Sequence, residues 1–305
     1  MKVLVATEKP FSPQAVNGIR QIIEDAGFEF AILEKYTSAD ELYAAVADAD
    51  ALIVRSDKVD DAVISATKQL KIIVRAGAGY DNIDLKAATA HNIVVENTPG
   101  QNANAVAELV IGMAIMAARN KFSGATGFEI SGKRLGLQAF GQVSRHVANI
   151  AKGFGMEVSA IDPYCPANVI EEQGVKVAQD LKELYSGNDI VSIHIPATPE
   201  TIGSIGKELV ALMPKGAVLI NTARKEVINE PELLEVLEQR PDLKYFADVK
   251  PSNSAEFEER FADRVFFTPK KSGAQTKEAN LNAGLAAARQ IVAFFKEGST
   301  RFKVN

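Results

Sequence analysis

The sequence predicts an α/β protein built of two doubly wound parallel-sheet domains. Short runs of β-branched and other apolar residues alternate with amphipathic segments along the whole chain, which is typical of parallel sheets covered by helices. The runs form two series, separated by one long apolar segment, so two sheets are expected. The chain has 305 residues, 47% of them hydrophobic, which is enough to build two cores.

The first series predicts five strands, each followed by a polar or amphipathic segment. The strands are KVLVAT, FEFAIL, ALIVRS, KIIVRAG and NIVVEN. After Pro99 the segment QNANAVAELVIGMAIMAARN is almost continuously apolar and predicts one long buried helix. Because Glu108 interrupts it and its flanks are polar, this segment is not expected to span a membrane.

The second series predicts six further strands and a C-terminal helix. The strands are KRLGLQAF, EVSAID, DIVSIHIP, GAVLINTA, KYFADV and RVFFTP. The segment KEANLNAGLAAARQIVAFFKEG has helical spacing and is too short to form another domain. It is therefore expected to pack on one of the two sheets.

The composition excludes several classes of function. A net charge of -5 gives no general attraction for nucleic acid or for an anionic membrane. The single cysteine, Cys165, excludes an internal disulfide and a multi-cysteine metal site, and the three histidines lie far apart in sequence, so no metal is expected. The N-terminal apolar run is too short for a signal peptide. We expect a cytoplasmic protein.

The segment LGLQAFGQVSR resembles a strand, a glycine-rich turn and a helix that together bind a dinucleotide. The three glycine positions of such a turn are occupied by Ala139, Gly141 and Ser144. Gly141 is the one that lets the backbone approach a pyrophosphate, and Gln142 and Val143 would follow it against the phosphates. The turn can be retained if Ala139 does not need a positive φ.

A candidate acidic partner of this turn ends the next predicted strand. Asp162 follows Gly141 at a distance suited to accept the ribose hydroxyls of an adenosine. Pro163, Tyr164 and Cys165 include no cation to hold a 2′-phosphate, so NAD is favoured over NADP. The alternative is that Asp162 only caps the turn that follows it.

Five motifs resemble, in order, those of the D-2-hydroxyacid dehydrogenases. They are RAGAGYDNID, NTPGQNANAVAEL, GFGMEV with IDPY, DIVSIHIPATPET and GAVLINTARKEVINE. The resemblance is strongest to the short D-3-phosphoglycerate dehydrogenases, which lack an added regulatory domain. It implies a discontinuous flavodoxin-like substrate domain, residues 1–99 and 277–305, with a Rossmann NAD domain, residues 100–276, inserted between.

The resemblance also assigns residues in the second series. Arg224 would bind the substrate carboxylate and stabilise the transition state, which agrees with an arginine fork at the C-terminal end of a parallel strand. The alternative for Arg224 is a surface ion pair. Asp248 would lie near the nicotinamide. The remaining cofactor contacts would be His194, Pro196, Thr198, Thr222, Ala223, Gly273 and Ala274.

Two departures from the family pattern affect the expected base. The family's catalytic histidine is absent from TPKKSGAQT, where its position falls on Lys271 counted from Gly273, or on Lys270 counted from Pro269. We prefer Lys271. The family's glutamate partner is Asn253 here, which suits a lysine because a carboxylate would raise the lysine pKa further. The alternative is a solvated lysine pair; carboxylates that could assist are Glu230 and Glu256.

Cations and glycines at strand ends of the first series indicate an anionic substrate. Arg55 and Arg75 each end a predicted strand, and Arg75 could equally be an ion-paired scaffold residue. The expected substrate contacts in this series are Arg55, Ser56, Gly77, Ala78, Gly79 and Asn102.

The resemblance implies NAD-dependent oxidation of D-3-phosphoglycerate to 3-phosphohydroxypyruvate in serine biosynthesis. A homodimer is expected. Two alternatives stay open. One is a dehydrogenase of another 2-hydroxyacid, and the other is a non-catalytic NAD-sensing protein on the same fold. No nucleic-acid or membrane partner is expected.

Overall fold

The structure is a computed structural model that describes all residues from 1 to 305. The chain divides into two compact units. Unit 1 consists of Met1–Asn102 and Gln275–Asn305, and unit 2 consists of Ala103–Ala274. Unit 1 is therefore discontinuous in sequence, since unit 2 is inserted into it.

Unit 1 contains a five-stranded sheet in the order β2-β1-β3-β4-β5, in which all neighbouring strands are parallel. The strands are β1 (Lys2–Thr7), β2 (Glu29–Glu34), β3 (Ala51–Val54), β4 (Ile72–Arg75) and β5 (Val94–Asn97). The helices are α1 (Pro13–Asp25), α2 (Ala39–Val46), α3 (Asp61–Ser65), α4 (Leu85–Ala90) and α12 (Lys277–Glu297). This strand order is the flavodoxin-like one, as predicted.

The C-terminal helix packs on unit 1, against α1. Residues of both helices belong to one buried cluster on the same face of the sheet. Gly18 of α1 and Gly284 of α12 allow a close approach, because a Cβ on Gly18 would lie 2.6 Å from Leu285 Cδ2 and one on Gly284 would lie 2.9 Å from Ile19 Cδ1. The tail thus completes the apolar face that the first series leaves uncovered.

Unit 2 contains a seven-stranded parallel sheet in the order β12-β11-β10-β9-β6-β7-β8. Its strands are β6 (Arg134–Gln138), β7 (Glu157–Ile161), β8 (Lys176–Val177), β9 (Ile190–Ile193), β10 (Val218–Asn221), β11 (Lys244–Ala247) and β12 (Val265–Phe267). Its helices are α5 (Ala103–Ala118), α6 (Gln142–Gly153), α7 (Ala167–Glu171), α8 (Leu181–Gly187), α9 (Lys207–Val210), α10 (Glu230–Gln239) and α11 (Ser254–Phe261). The strand order reverses between β6 and β9, which is the doubly wound arrangement that the sequence predicts.

Burial explains why the apolar runs form strands. Every residue of β3, β9 and β10 is buried, as expected for parallel strands covered on both faces. The long apolar segment after Pro99 forms a single helix that begins at Ala103, and its small side chains are buried in the core of unit 2. The two-residue strand β8 was not predicted, since so short a segment carries no pattern.

None of the helices has both the length and the apolar character that crossing a membrane requires.

Candidate active site

The glycine-rich turn lies at the point where the strand order of unit 2 reverses. It joins β6 to α6, and α6 begins at Gln142 with Gly141 as its N-cap. Ligands of doubly wound sheets bind at this edge, outside the carboxyl ends of the strands. The turn is tied to β7, because Ala139 N donates to Ile161 O at 2.8 Å.

The two substituted glycine positions behave differently. The sequence predicts that the turn is retained only if Ala139 avoids a positive φ. That requirement is wrong, because Ala139 has φ +81°. The path from β6 into α6 requires a left-handed residue there, and alanine occupies it under strain. Ser144 is fully buried, and its Oγ has no hydrogen-bond partner. The backbone of the turn is thus retained with both substitutions in place.

Asp162 follows β7 and contacts the turn directly. Its Oδ2 accepts from Phe140 N at 2.7 Å, and its Oδ1 accepts from Tyr164 N at 2.8 Å. Asp162 therefore does cap the turn that follows it, which was the alternative role. Each carboxylate oxygen has a second lone pair, so these bonds are compatible with accepting ribose hydroxyls as well.

Arg145 is a residue of this region that the sequence analysis missed. It lies in the first part of α6, where its Nε donates to Phe140 O at 3.2 Å and its NH2 lies 3.7 Å from Cys165 Sγ. A cation therefore lies beside the loop that follows Asp162, although that loop itself contains none. The sequence contained one signal for Arg145, which is its position one helical turn after Gly141.

The loop after β9 contains the predicted cofactor contacts His194, Pro196 and Thr198. His194 N donates to Gln138 O at 3.0 Å, which joins this loop to the end of β6. Its Nε2 lies 3.0 Å from Ser192 Oγ, and burial lowers the pKa of His194 to about 3. This imidazole is neutral at physiological pH and cannot supply a positive charge.

Arg224 follows the end of β10 in a turn that Asn221 holds. Asn221 is fully buried; its Nδ2 donates to Arg224 O at 2.8 Å and its Oδ1 accepts from Ala223 N at 2.9 Å. The guanidinium NH1 of Arg224 donates to Ala223 O at 2.9 Å. Asn221 is a positioning residue that the sequence analysis missed, although its place at the strand end was a signal.

Asp248 follows β11, the strand beside β10, and its carboxylate faces the loop after β12. Oδ1 accepts from Thr268 Oγ1 at 2.9 Å and from Ser272 N at 2.6 Å, and Oδ2 accepts from Gly273 N at 2.8 Å. The side chain is 1% exposed. Asp248 therefore anchors the loop that carries the two lysines.

The two candidate lysines lie at the exposed edge of that loop. Lys270 and Lys271 are both exposed. The carboxylates suggested as partners form other contacts: Glu230 accepts from the amides of Ser252 and Asn253 at 2.7 and 2.9 Å, and Glu256 pairs with Arg260 at 2.6 Å. Asn253 precedes α11 as its N-cap residue.

In unit 1, Arg55 is held by the scaffold. Its NH1 donates to Lys9 O and Pro10 O at 2.7 and 3.0 Å, and its NH2 donates to Asn280 Oδ1 at 2.7 Å. Burial lowers the pKa of Arg55. Ser56 beside it is exposed. These contacts give Arg55 a structural role, and its contact with substrate stays a prediction.

The segment after β4 is clamped by the end of β5. Asn97 Nδ2 donates to Ala78 O at 2.6 Å, and Thr98 N donates to Gly77 O at 2.9 Å. The amide of Gly77 donates to Arg75 O at 2.8 Å, and its contact with an anion stays a prediction. Arg75 covers Gly77, because a Cβ there would lie 1.3 Å from Arg75 NH1.

The other two predicted substrate residues of unit 1, Gly79 and Asn102, are half-buried.

The residues of unit 2 fit a dinucleotide. A Cβ on Gly141 would meet no atom within 4 Å, so the space in front of the turn is open. No side chain caps the N-terminus of α6, which leaves backbone amides for an anion. The buried hydroxyl of Thr222, at the end of β10, has no hydrogen-bond partner. Gly273, whose amide donates to Asp248, ends the loop after β12, and Ala274 follows it.

Comparison with known proteins agrees with this geometry. Residues 105–271 match the family described as D-isomer specific 2-hydroxyacid dehydrogenase, NAD binding domain. The D-3-phosphoglycerate dehydrogenase of Methanocaldococcus jannaschii is 37% identical over 89% of the chain, which spans only 54% of that relative. The hydroxypyruvate reductase of Thermotoga maritima is 35% identical over 88% of the chain and 91% of that relative.

A solved structure matches over almost the full length of both chains. It is the NAD+-bound 3-phosphoglycerate dehydrogenase of Entamoeba histolytica, 46% identical, with a TM-score of 0.89 over 100% of this chain and 98% of that one. Unit 2 binds NAD. The expected fold of two parallel-sheet α/β domains is confirmed. The chain belongs to the D-isomer specific 2-hydroxyacid dehydrogenases.

Proposed function

We propose that the protein is an NAD-dependent dehydrogenase that oxidises D-3-phosphoglycerate to 3-phosphohydroxypyruvate, the entry step of serine biosynthesis. Two of the relatives described above support the substrate, because they are named phosphoglycerate dehydrogenases. The chain spans about half the length of the first of them.

The observation that carries the proposal is the convergence of three strand ends in unit 2. β10, β11 and β12 are neighbouring parallel strands, with Asn221 beside Ala247 and Ala247 beside Phe267 in register. Arg224, Asp248 and the 268–273 loop follow these ends, so a fixed cation and a lysine-bearing loop leave the same edge of one sheet. That edge also carries the turn that fits the dinucleotide.

The chemistry is divided between the cofactor and the chain. NAD, when bound, accepts the hydride that leaves C2 of the substrate. Arg224 binds the substrate carboxylate as a bidentate fork, which fixes C2 in place. Lys271 accepts the proton of the C2 hydroxyl as the carbonyl forms, and it returns that proton in the reverse direction.

A lysine base must be neutral before it can accept a proton. The ordinary lysine pKa is about 10.4, so Lys271 needs neighbours that disfavour its charge. Lys270, the adjacent residue, carries a like charge that acts in that direction. Asn253, where relatives are expected to have a glutamate, adds no carboxylate that would stabilise the charged lysine.

Unit 1 supplies the proposed contacts to the substrate's phosphate end. Arg55 and Ser56 follow β3, and Arg75 is the last residue of β4. The 77–79 segment is held by Asn97 and Thr98. Because Arg55 donates to Lys9, Pro10 and Asn280, its substitution affects stability as well as binding. We expect Arg55→Ala to weaken phosphoglycerate more than an unphosphorylated 2-hydroxyacid, once stability is matched.

An absorbance assay of NADH tests the proposed reaction. NADH formation is followed with 3-phosphoglycerate, D-lactate, D-glycerate and 2-hydroxyglutarate, and NADH consumption is followed with the matching keto acids. We expect the highest kcat/KM for 3-phosphoglycerate and its keto acid. Turnover of an unphosphorylated pair at a higher kcat/KM would overturn the proposed substrate. No turnover of any pair would overturn the proposal that the protein is a dehydrogenase.

A second candidate is a reductase of hydroxypyruvate or a related 2-keto acid. The observation that favours it is length, since the chain covers 91% of the Thermotoga maritima hydroxypyruvate reductase. Hydroxypyruvate lacks the phosphate, so it would not need the cations of unit 1. Including hydroxypyruvate in the same assay separates the two candidates.

We also propose that the protein is a cytoplasmic homodimer. Apolar side chains left exposed on unit 2 support an association surface; Phe122, after α5, is 67% exposed. Light scattering of the purified protein measures the mass directly, and a monomer across the micromolar range would contradict the dimer.

A further inference from the structure

Arg145 joins the glycine-rich turn to the loop that follows Asp162. Its Nε donates to Phe140 O at 3.2 Å, and its NH2 lies 3.7 Å from Cys165 Sγ. The guanidinium carbon lies 5.5 Å from the centre of the Phe140 ring. The side chain is half-buried.

The carboxylate of Asp162 is attached to the same two segments. It accepts from Phe140 N in the turn and from Tyr164 N in the loop. The guanidinium and the carboxylate are therefore both attached to the turn and to the loop that follows β7. No ion pair joins them, and Arg145 pairs with no other acid, so its charge is not neutralised by a carboxylate.

We propose that Arg145 is a second residue that determines cofactor selectivity, by binding the 2′-phosphate of an adenosine dinucleotide. A carboxylate at the end of this strand accepts the ribose 2′-hydroxyl and repels a phosphate there. A guanidinium attached to the same turn and loop is the group best suited to hold that phosphate. The 2′-phosphate of NADP then makes an unfavourable contact with Asp162 and a favourable contact with Arg145. The balance of these two contacts sets the preference between NAD and NADP.

This proposal rests on the NAD-binding part of the proposed function and is independent of the substrate. It also differs from a purely structural role of Arg145. If Arg145 only tied the turn to the loop, its loss would weaken NADH and NADPH equally. If it binds a 2′-phosphate, its loss weakens NADPH selectively.

Fluorescence titration with NADH and NADPH, without substrate, tests the proposal. The proteins are the wild type, Arg145→Met, Asp162→Ser and the double variant. We expect Asp162→Ser to shift the NADPH to NADH preference towards NADPH by about tenfold or more, the size of one charge-assisted contact. Adding Arg145→Met should reverse most of that shift. In the wild-type background, Arg145→Met should weaken NADPH more than NADH.

The single Arg145→Met variant keeps the test valid if Asp162→Ser does not fold, because Asp162 also holds two amides. Lys152→Met is the matched control, since it removes a charge from the far end of the same helix. An equal effect of Lys152→Met and Arg145→Met on the ratio of NADPH to NADH affinity would overturn the proposal, as would an unchanged ratio in Arg145→Met.

Failure of the wild type to bind either dinucleotide would overturn the cofactor site as well. Dinucleotide binding without turnover would overturn only the proposed reaction.

Discussion

Ala139 combines a left-handed backbone with a side chain at the centre of the dinucleotide turn. Its φ is +81°. This conformation costs a non-glycine residue roughly 1–2 kcal/mol, which glycine would relieve. Part of that relief is offset, because glycine loses about 0.5–1 kcal/mol more conformational entropy than alanine on folding. We expect Ala139→Gly to raise the free energy of unfolding by about 0.5–1 kcal/mol, measured by urea denaturation.

A matched alanine with a negative φ provides the control for this change. Ala211 is exposed, is the C-cap residue that follows α9 and has φ -65°. Ala211→Gly should lower the free energy of unfolding, because glycine relieves no strain there. The same sign for both variants would show that strain at Ala139 does not decide the result.

Lys271 is the residue on which the proposed proton transfer depends. Lys271→Ala should lower turnover by roughly 10² or more while NADH binding stays nearly unchanged, the usual scale for a lost general base. Oxidation by the wild type should rise with pH well past neutrality, since it needs neutral lysine, whereas reduction should persist at lower pH. Steady-state rates of oxidation and reduction, measured from about pH 6 to 10, check both expectations.

Lys270→Ala is the control for the alignment of this loop. Full activity of Lys271→Ala with loss in Lys270→Ala would show that the base is Lys270. Full activity of both variants would remove lysine from the mechanism.

His194 predicts a pH dependence of stability. Burial lowers its pKa to about 3, below the unfolded value of about 6.5. Between these values the unfolded state binds a proton that the folded state does not, so stability falls as pH drops from about 6.5 towards 3. We expect the melting temperature to fall less steeply in this window in His194→Gln than in the wild type. Parallel melting curves of the two proteins would contradict the assignment.

At the scale of elements, the loop after β12 depends on β11 through Asp248. Thr268 Oγ1 donates to both Asp248 O and Asp248 Oδ1, at 2.8 and 2.9 Å. Thr268→Val removes both bonds with little change in shape, so the lysine-bearing loop should lose its fixed position. We expect kcat to fall about tenfold or more, because a misplaced base transfers protons poorly. The exchange of the Ser272 and Gly273 amides should also become faster.

Ser272→Ala is the matched variant in the same loop. The Ser272 hydroxyl donates to Lys270 O at 2.7 Å, while its amide bond to Asp248 does not need the side chain. Its kcat and amide exchange should change less than in Thr268→Val. The reverse order would show that the local turn, and not Asp248, positions the lysines.

At the scale of the whole molecule, dinucleotide binding should act on unit 2. At a hundredfold excess over its Kd, NADH should stabilise the state that binds it by about 2.7 kcal/mol. Hydrogen exchange should therefore slow within Ala103–Ala274, around the turn after β6 and the end of β7. The protein is measured with and without NADH at one protein concentration.

Gly141→Asp is the sharpest control for that experiment. A side chain at Gly141 meets open space, its φ of -76° suits any residue, and aspartate is a good N-cap. The variant should fold as well as the wild type, yet its carboxylate would repel the pyrophosphate and abolish the NADH effect. Retained NADH protection in this variant would place the dinucleotide elsewhere.

The fold was largely predictable because its signals are local. A buried parallel strand needs a short apolar run, and a covering helix needs a period of 3.6 residues, so both series of elements are visible in the sequence. The turn at Gly141 and the acid at Asp162 were found in the same way, since one strand-turn-helix unit fixes their spacing. The family motifs added the assignment of Arg224 and of the lysine loop.

The sequence by itself determined two parallel α/β sheets, a dinucleotide turn with two substituted glycines, and which strands end in charged residues. Only the tertiary structure decided that Arg145 lies against Cys165, that Asn221 holds Arg224 and that Asp248 holds the 268–273 loop. The physical reason is that hydrogen bonds between strand ends depend on which strands are neighbours. Sheet order sets those neighbours, and sheet order follows from packing over the whole unit, not from any short stretch of residues.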